Sequence, residues 1–255
     1  MLIDSHCHLD AAEFDADRDV VVERARSAGI GLLVVPAVAA DGFECAAEVG
    51  RRYPECRIAY GVHPLHADRA DPERDLAALE ARLASDPAVA VGEIGLDRYP
   101  GHPDFDRQQR LFAAQLKLAG RFELPVLLHV RHAVDAVLQQ LRRIAVPGGI
   151  AHAFNGSRQQ AEQLIALGFK LGFGGAMSFT GSRRIRELAA TLPLSAIVLE
   201  SDAPDMAPAW SRGQRNEPSQ VARYAQVLAE LRAVPREVIA TQTSGNVAAC
   251  LPRVR

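Results

Sequence analysis

The chain has 255 residues, of which 48% are hydrophobic, and its formal net charge is −2 at pH 7. This composition supports a large buried core and excludes disordered and fibrous proteins. A net charge so close to zero provides no global basic field, so any contact with nucleic acid must rest on local groups.

Cysteines and apolar segments narrow the class further. The four cysteines have no CxxC spacing and form neither a disulfide framework nor a zinc ribbon; they are Cys7, Cys45, Cys56 and Cys250. The sequence does not open with a basic segment followed by an apolar one, and no apolar run is long enough to span a bilayer. We therefore expect a cytoplasmic protein without a membrane partner.

Short apolar runs alternate with helical patterns along the whole chain. The predicted strands are 2–5, 32–36, 57–62, 88–93, 125–129, 149–152, 169–173 and 196–199. Their first residues run from 2 to 196, so seven intervals share 194 residues, about 28 each. Amphipathic patterns fill the intervals, the first helix being predicted over 18–28.

Eight strand–helix units with this spacing fit a (β/α)₈ barrel, for which about 250 residues is typical. An open, doubly wound sheet is the alternative, but that fold does not require eight evenly spaced units. We predict an α/β fold with one TIM barrel domain over residues 1–255. A last helix over 236–250 is expected to pack outside the barrel.

The segment DSHCHLD, near the start of the chain, places two histidines two residues apart. On an extended strand, His6 and His8 share a face, with Asp4 behind them and Cys7 on the opposite face. Two imidazoles on one face can hold a metal ion while leaving its other positions open. A strand with two buried, hydrogen-bonded histidines is the other interpretation. Asp4 could orient an imidazole or belong to a buried network.

Polar residues also lie at, or just after, the ends of most of the other predicted strands. They are His63, Glu93, His129, His152 and Asp202. In a (β/α)₈ barrel, reactive groups lie at the carboxyl ends of the strands, so these side chains are expected to meet. Packing alone explains such a cluster poorly, because each buried histidine would need its own partner.

Nitrogen and carboxylate ligands together suit Zn²⁺, Mn²⁺ or similar ions. Apart from His63, the residues at the strand ends supply six candidate metal ligands. Six ligands are too many for one catalytic zinc ion but match a pair of ions. The predicted partition gives one ion His6, His8 and Asp202, and the other His129 and His152. Glu93 is expected to bridge the two ions with its two carboxylate oxygens.

Six segments carry a resemblance to a known family. DSHCHLD, GVHP, GEIGLD, LPVLLHVR, HAFNG and ESDAP, in this order and spacing, resemble the TatD family of metal-dependent deoxyribonucleases, within the broader amidohydrolase-like group. The resemblance implies a distorted TIM barrel, one to three divalent metals and hydrolysis of phosphodiester bonds. The positions that match the family's metal ligands are His6, His8, Glu93, His129, His152 and Asp202. His63 matches a histidine that contacts the substrate phosphate.

The chain departs from the common family pattern at 98–101, where Arg-Tyr-Pro-Gly follows GLD. It is more similar to a divergent branch of uncharacterised hydrolases, so the resemblance leaves open whether DNA, RNA or a small phosphoester is the substrate.

We predict a hydrolase that uses two divalent cations per subunit, of Zn, Mg or Mn. Glu93, Asp202 and His63 are the predicted catalytic residues, with Asp202 taking a proton from water and His63 stabilising the developing charge. Arg212 and Arg215 are candidate phosphate clamps, since guanidinium matches phosphate oxygens; solvated loop charges are equally consistent.

Other basic residues receive a structural interpretation. Arg131 is expected to form a surface salt bridge, and Arg183, Arg184 and Arg186 to lie on a solvated helix face. His66, His102 and His132 are expected to face solvent in loops or at a helix start.

DNA or another phosphodiester is the expected partner, held through local contacts. No obligate protein partner is indicated, and a monomer or weak oligomer is expected. Two rival functions remain: hydrolysis of a small amide, lactone or ester at the same centre, and a non-catalytic metal-binding protein. A structural zinc site is normally closed, which argues against the second.

Overall fold

The computed structural model describes residues 1–101 and 104–254, so His102, expected to face solvent, lies outside the described residues. Eight strands run parallel in the order of the sequence. They are β1 (Leu2–Asp4), β2 (Ile30–Pro36), β3 (Cys56–Ala59), β4 (Val91–Asp97), β5 (Val126–Arg131), β6 (Gly149–Ala151), β7 (Phe169–Phe173) and β8 (Ile197–Leu199).

The strands form two sheets, β1 to β3 and β4 to β8, that meet at two seams. At one seam, Tyr60 pairs with Val91, and the Gly92 amide donates to the Tyr60 carbonyl at 2.9 Å. At the other, the Ser5 amide donates to the Leu199 carbonyl at 3.0 Å. The sheets therefore close into a barrel with interrupted ladders, which confirms the predicted distorted TIM barrel.

Helices cover the outside of the barrel. The helices are α1 (Arg18–Ser27), α2 (Phe43–Arg52), α3 (Pro72–Ser85), α4 (Phe105–Arg121), α5 (Val134–Arg143), α6 (Arg158–Ala166), α7 (Arg183–Thr191), α8 (Val221–Arg232) and α9 (Arg236–Cys250). Val137, Leu138 and Leu141 show why such segments are helical, since their spacing buries one face of α5. No helix in the described part of the chain is both long and apolar enough to cross a membrane.

The fourth strand differs from its predicted position. It spans Val91–Asp97, whereas the apolar run predicted 88–93. The three residues before it, 88–90, are buried where the chain enters the barrel. Their burial explains why they are as apolar as a strand, although they lie outside β4. The real strand continues past Glu93 and therefore carries a second carboxylate, Asp97, to the same end of the barrel.

Two apolar clusters form the core. The larger one fills the space between strands and helices. The smaller one lies inside the barrel and includes Ile3, Val34, Ala59, Val89, Ala90, Leu127, Ile150 and Val198. Val247 packs onto this inner cluster from α9, together with Leu251 and Val254, which follow the helix. The end of the chain thus closes the amino-terminal mouth of the barrel, and the opposite mouth stays open.

Candidate metal centre

The six predicted metal ligands meet at the open, carboxyl-terminal mouth of the barrel. They follow or belong to five different strands: β1 for His6 and His8, β4 for Glu93, β5 for His129, β6 for His152 and β8 for Asp202. Glu93 lies at the centre, with 2% of its surface exposed. Each of its carboxylate oxygens faces a different group of donors.

The first group surrounds Oε2 of Glu93. Nε2 of His6 lies 3.3 Å from it and Nε2 of His8 3.5 Å, while the two nitrogens are 3.3 Å apart. Oδ1 of Asp202 lies 3.7 Å from each nitrogen. Ligands around a tetrahedral cation with bonds of about 2.0–2.1 Å are separated by roughly 3.3–3.4 Å. The atoms of Glu93, His6 and His8 are therefore spaced like part of a coordination shell, and Asp202 lies within reach of both imidazoles.

The second group surrounds Oε1 of Glu93. Nε2 of His152 lies 2.7 Å from this oxygen, Nδ1 of His129 3.0 Å and Nε2 of His63 3.5 Å. Nδ1 of His152 also lies 3.9 Å from Asp202, on the other side of the centre. The structure thus brings the six candidates together and places His63 beside them.

Hydrogen bonds on the far side of three rings determine which nitrogen is a donor and which an acceptor. Nδ1 of His8 faces the Pro36 carbonyl at 3.2 Å, and Nε2 of His129 faces Oδ2 of Asp97 at 3.0 Å. Each of these nitrogens must carry the proton, so the opposite nitrogen presents a lone pair to the centre. His63 is reversed: its Nδ1 accepts from the Leu65 amide at 3.1 Å, so its Nε2 carries a proton.

Burial and the close approach of imidazoles and carboxylates together set the protonation of the centre. Burial, reinforced by neighbouring His152, lowers the pKa of His6 to about 3, and burial lowers the pKa of His63 to about 4. Burial opposes the charge on Glu93, but the surrounding imidazoles of His152, His63 and His6 hold its pKa well below the usual range. Neutral imidazoles around an ionised carboxylate are the protonation state that divalent cations require of their ligands.

The ring of His152 has an additional feature. Burial lowers its pKa, but Glu93 and Asp202 outweigh burial and raise it to about 10. Among the described residues, Nδ1 of His152 and Nδ1 of His6 are buried without a hydrogen-bond partner. A bound cation takes the place of such a proton, because a ligating imidazole must be neutral. The donors therefore fit a metal centre.

Asp97 is a site residue that the sequence analysis missed. It is buried, and its two oxygens accept from His129 and from the Tyr99 amide, the latter at 2.8 Å. The available signal was the alternation of β4, which puts Glu93, Gly95 and Asp97 on one face. Gly95 is required there, because its φ is 152° and a Cβ would lie 1.9 Å from the His129 carbonyl oxygen.

Asp4 belongs to a buried hydrogen-bond network rather than orienting an imidazole. Its carboxylate accepts from the Ser201 hydroxyl at 2.5 Å, the Ser201 amide at 2.9 Å and the His6 amide at 3.2 Å. Burial raises its pKa to about 7. Asp4 therefore ties the backbone of β1 to the loop that carries Asp202.

Two predicted phosphate clamps lie elsewhere. The Arg215 guanidinium donates to Asp17 at 2.7 and 2.8 Å and to Glu217 at 3.2 Å, and it does not line the cleft. Arg212 is exposed but also lies outside the cleft lining. Asp17, just before α1, and Glu217, in the loop after β8, already occupy the donors of Arg215, so this geometry gives no support to its predicted role as a phosphate clamp.

The centre opens into a cleft of about 890 Å³. Besides the donors, Arg131 and Arg184 line it, which corrects two expectations. Arg131 lies over the Tyr99 ring instead of forming a salt bridge, and Arg184 faces the cleft instead of a solvated surface alone. His132 is exposed as expected, whereas His66 is half-buried.

Comparison with known proteins agrees with this geometry. The chain is 42% identical over 249 residues to "Uncharacterized metal-dependent hydrolase YjjV" of Escherichia coli (strain K12), covering 96% of this chain and 95% of that protein. It is 36% identical over 256 residues to "3'-5' ssDNA/RNA exonuclease TatD" of Erwinia billingiae, covering 96% and 97%. The crystal structure of the Escherichia coli YjjV protein superposes with a TM-score of 0.95 at 39% identity, over 98% of both chains.

A family model described as "TatD related DNase" matches residues 3–252, nearly the whole chain. With the barrel and the histidine–carboxylate centre, this match leads to one conclusion. The chain belongs to the TatD related DNase family.

Proposed function

We propose that this protein is a metal-dependent hydrolase that cleaves phosphodiester bonds in nucleic acid. The observation that carries the proposal is the shared carboxylate: Oε2 of Glu93 faces His6 and His8, and Oε1 faces His129 and His152. The names of two relatives support it, one a metal-dependent hydrolase and the other an exonuclease acting on single-stranded DNA and RNA.

Two divalent cations are the proposed cofactors, with His6, His8 and Asp202 holding one, His129 and His152 the other, and Glu93 both. Such a pair supplies acidified water and polarised phosphoryl oxygens. The same ligand atoms leave an open side toward the cleft, as a catalytic site requires.

Asp202 is the proposed general base. Its carboxylate lies at the floor of the cleft with 14% exposure, within 3.7 Å of His6 and His8. Burial raises its pKa, which makes it a better proton acceptor than an exposed carboxylate. Its φ of 56° is unusual for a residue other than glycine, and its amide donates to the His6 carbonyl at 2.9 Å. That backbone conformation aims the carboxylate into the centre.

His63 is the proposed donor to the phosphate. Because its Nδ1 accepts from the Leu65 amide, its Nε2–H points toward the centre and lines the cleft. A neutral N–H donor placed there stabilises negative charge as it develops on a phosphoryl oxygen.

The test is Glu93→Gln, which replaces one ligand oxygen by an amide nitrogen at nearly constant size. We expect wild-type protein to contain about two divalent ions by elemental analysis and to cleave bis(4-nitrophenyl) phosphate and single-stranded DNA. The variant should lose metal and at least 1,000-fold of turnover together, since it disturbs both groups of donors. Full turnover in Glu93→Gln contradicts the assignment. Wild-type protein that cleaves only amides, lactones or carboxylic esters contradicts phosphodiester hydrolysis.

A further inference from the structure

The mouth of the cleft carries three arginines that come from different parts of the barrel. Arg98 follows β4, Arg131 ends β5, and Arg184 lies in the first turn of α7. All three are exposed and line the cleft. Within residues 1–101 and 104–254, none of them lies within ion-pair distance of a carboxylate. On the outer surface, by contrast, Arg24 and Arg52 pair with acidic side chains at 2.7 and 2.5 Å.

An aromatic ring lies among these arginines. The Tyr99 side chain is 45% exposed, and the Arg131 guanidinium carbon lies 3.9 Å from the centre of its ring. The His132 ring is 6.4 Å away and inclined by only 29°. The Tyr99 ring thus forms an exposed patch with Arg131 and His132, two residues that line the cleft. We name Tyr99, Arg131 and His132 the stacking platform.

The stacking platform is attached to the metal centre through one carboxylate. Oδ1 of Asp97 accepts from the Tyr99 amide, and Oδ2 accepts from the imidazole of His129. Arg131 lies two residues beyond His129 on the same strand, roughly 6.6 Å along it. The platform is therefore joined to the centre both through Asp97 and along β5.

A flat aromatic surface combined with cationic groups is the arrangement by which proteins bind single-stranded nucleic acid. A base in a duplex is already stacked, and a small phosphoester has nothing to place on the platform. Arg184 is anchored by donation to the Asn155 side chain at 2.7 Å, which holds its charge at the cleft wall. Arg98 lies against the Phe105 ring at 3.9 Å.

We propose that the stacking platform binds an unpaired base next to the phosphate at the metal centre, and that Arg98 and Arg184 contact the phosphates of the same strand. This inference rests on the proposed function and assigns the side chains that would position the strand beside the cleaved phosphate. It also gives a role to the Arg-Tyr-Pro-Gly segment that departs from the common family pattern.

The first experiment measures binding without turnover. A fluorescein-labelled single-stranded 12-mer, as DNA and as RNA, is titrated in EDTA with wild type, Tyr99→Ala and Tyr99→Trp, and binding is followed by anisotropy. Tyr99→Ala should bind both strands roughly 5- to 100-fold more weakly, because a stacked base is lost. Tyr99→Trp should retain binding, and a duplex of the same sequence should bind more weakly than the single strand. An unchanged dissociation constant for Tyr99→Ala overturns the proposal.

The arginines are tested by salt dependence. Removing one phosphate contact on a single strand reduces the slope of log K against log salt concentration by about 0.7. We expect this change in Arg184→Ala and in Arg98→Ala. Arg143→Ala, an exposed arginine near the end of α5 and outside the cleft, is the matched control and should not change the slope. Equal slopes in all three variants overturn the phosphate contacts.

A catalytic arm separates this inference from the proposed function. With metal present, Tyr99→Ala should raise KM for the oligonucleotide and leave its kcat nearly unchanged, because the platform holds the strand and does not contact the cleaved phosphate. A loss of kcat with an unchanged KM shows that Tyr99 acts through Asp97 and His129, which overturns the inference. If the wild type cleaves no phosphodiester, the proposed function fails, while the anisotropy result still decides whether the platform binds single strands.

Discussion

The two mouths of the barrel are built from opposite chemistry. At the amino-terminal mouth, Val247, Leu251 and Val254 cover the inner apolar cluster and exclude water. At the carboxyl-terminal mouth, histidines and carboxylates crowd around Glu93 and open into a cleft. One mouth therefore contributes stability and the other function, and a substitution at either should leave the other property nearly intact. Four substitutions test this division, beginning with the largest expected effect.

Asp202→Asn removes the proposed base but keeps an oxygen that can act as a ligand. We expect turnover to fall about 1,000-fold, within the range of general-base catalysis, while metal content falls much less. Measurement of kcat beside elemental analysis checks this. Parallel losses of metal and kcat would show that Asp202 acts only as a ligand.

Leu251→Ala opens a cavity at the closed mouth. Because the side chain is fully buried, the free energy of unfolding should fall by about 2–5 kcal/mol. Urea unfolding of metal-free protein measures this without a contribution from ion binding. Val238→Ala, in the preceding helix α9 and 46% exposed, is the control and should change stability by less than about 0.5 kcal/mol. Altered metal content in Leu251→Ala would contradict the independence of the two mouths.

Asp97→Asn tests the hydrogen bond that orients the imidazole of His129. The change weakens the bond that holds the proton of His129 on Nε2, so its Nδ1 is no longer fixed toward Glu93. Loss of such an outer partner typically costs about 10- to 100-fold in metal affinity or activity. Competition with a chromogenic chelator measures the affinity, and an unchanged value would assign Asp97 to packing alone.

Arg215→Ala should have the smallest effect. Its ion pairs with Asp17 and Glu217 lie at the surface, where such pairs contribute about 0–1 kcal/mol to stability. Turnover and oligonucleotide binding should match the wild type, because the side chain lies outside the cleft. A rise in KM for single-stranded DNA would restore the phosphate-clamp role.

The sequence was informative wherever a regular spacing of apolar and polar residues determines the local structure. Even spacing of apolar runs predicted the barrel, and the polar residues at strand ends predicted that the side chains from His6 to Asp202 meet at one mouth. Strand alternation also placed Cys7 away from the site, and its side chain lies in the outer core.

The sequence was less informative where long-range partners decide. Arg215 and Arg131 have the same side chain, but only the fold shows that Asp17, just before α1, pairs with Arg215 and that a ring lies beneath Arg131. Asp97 was missed because the fourth strand extends beyond its apolar run. The tautomer of His63 depends on a backbone amide two residues away, which residue spacing does not specify.

The position of Glu93 between two donor groups has a thermodynamic consequence. In the proposed two-cation centre one carboxylate serves both sides, so a cation bound on one side would alter the electron density available to the other, and linkage makes this effect reciprocal. Uptake of two such cations should then follow a coupled isotherm rather than two independent ones, with occupancy on the His6 side controlling affinity at His129.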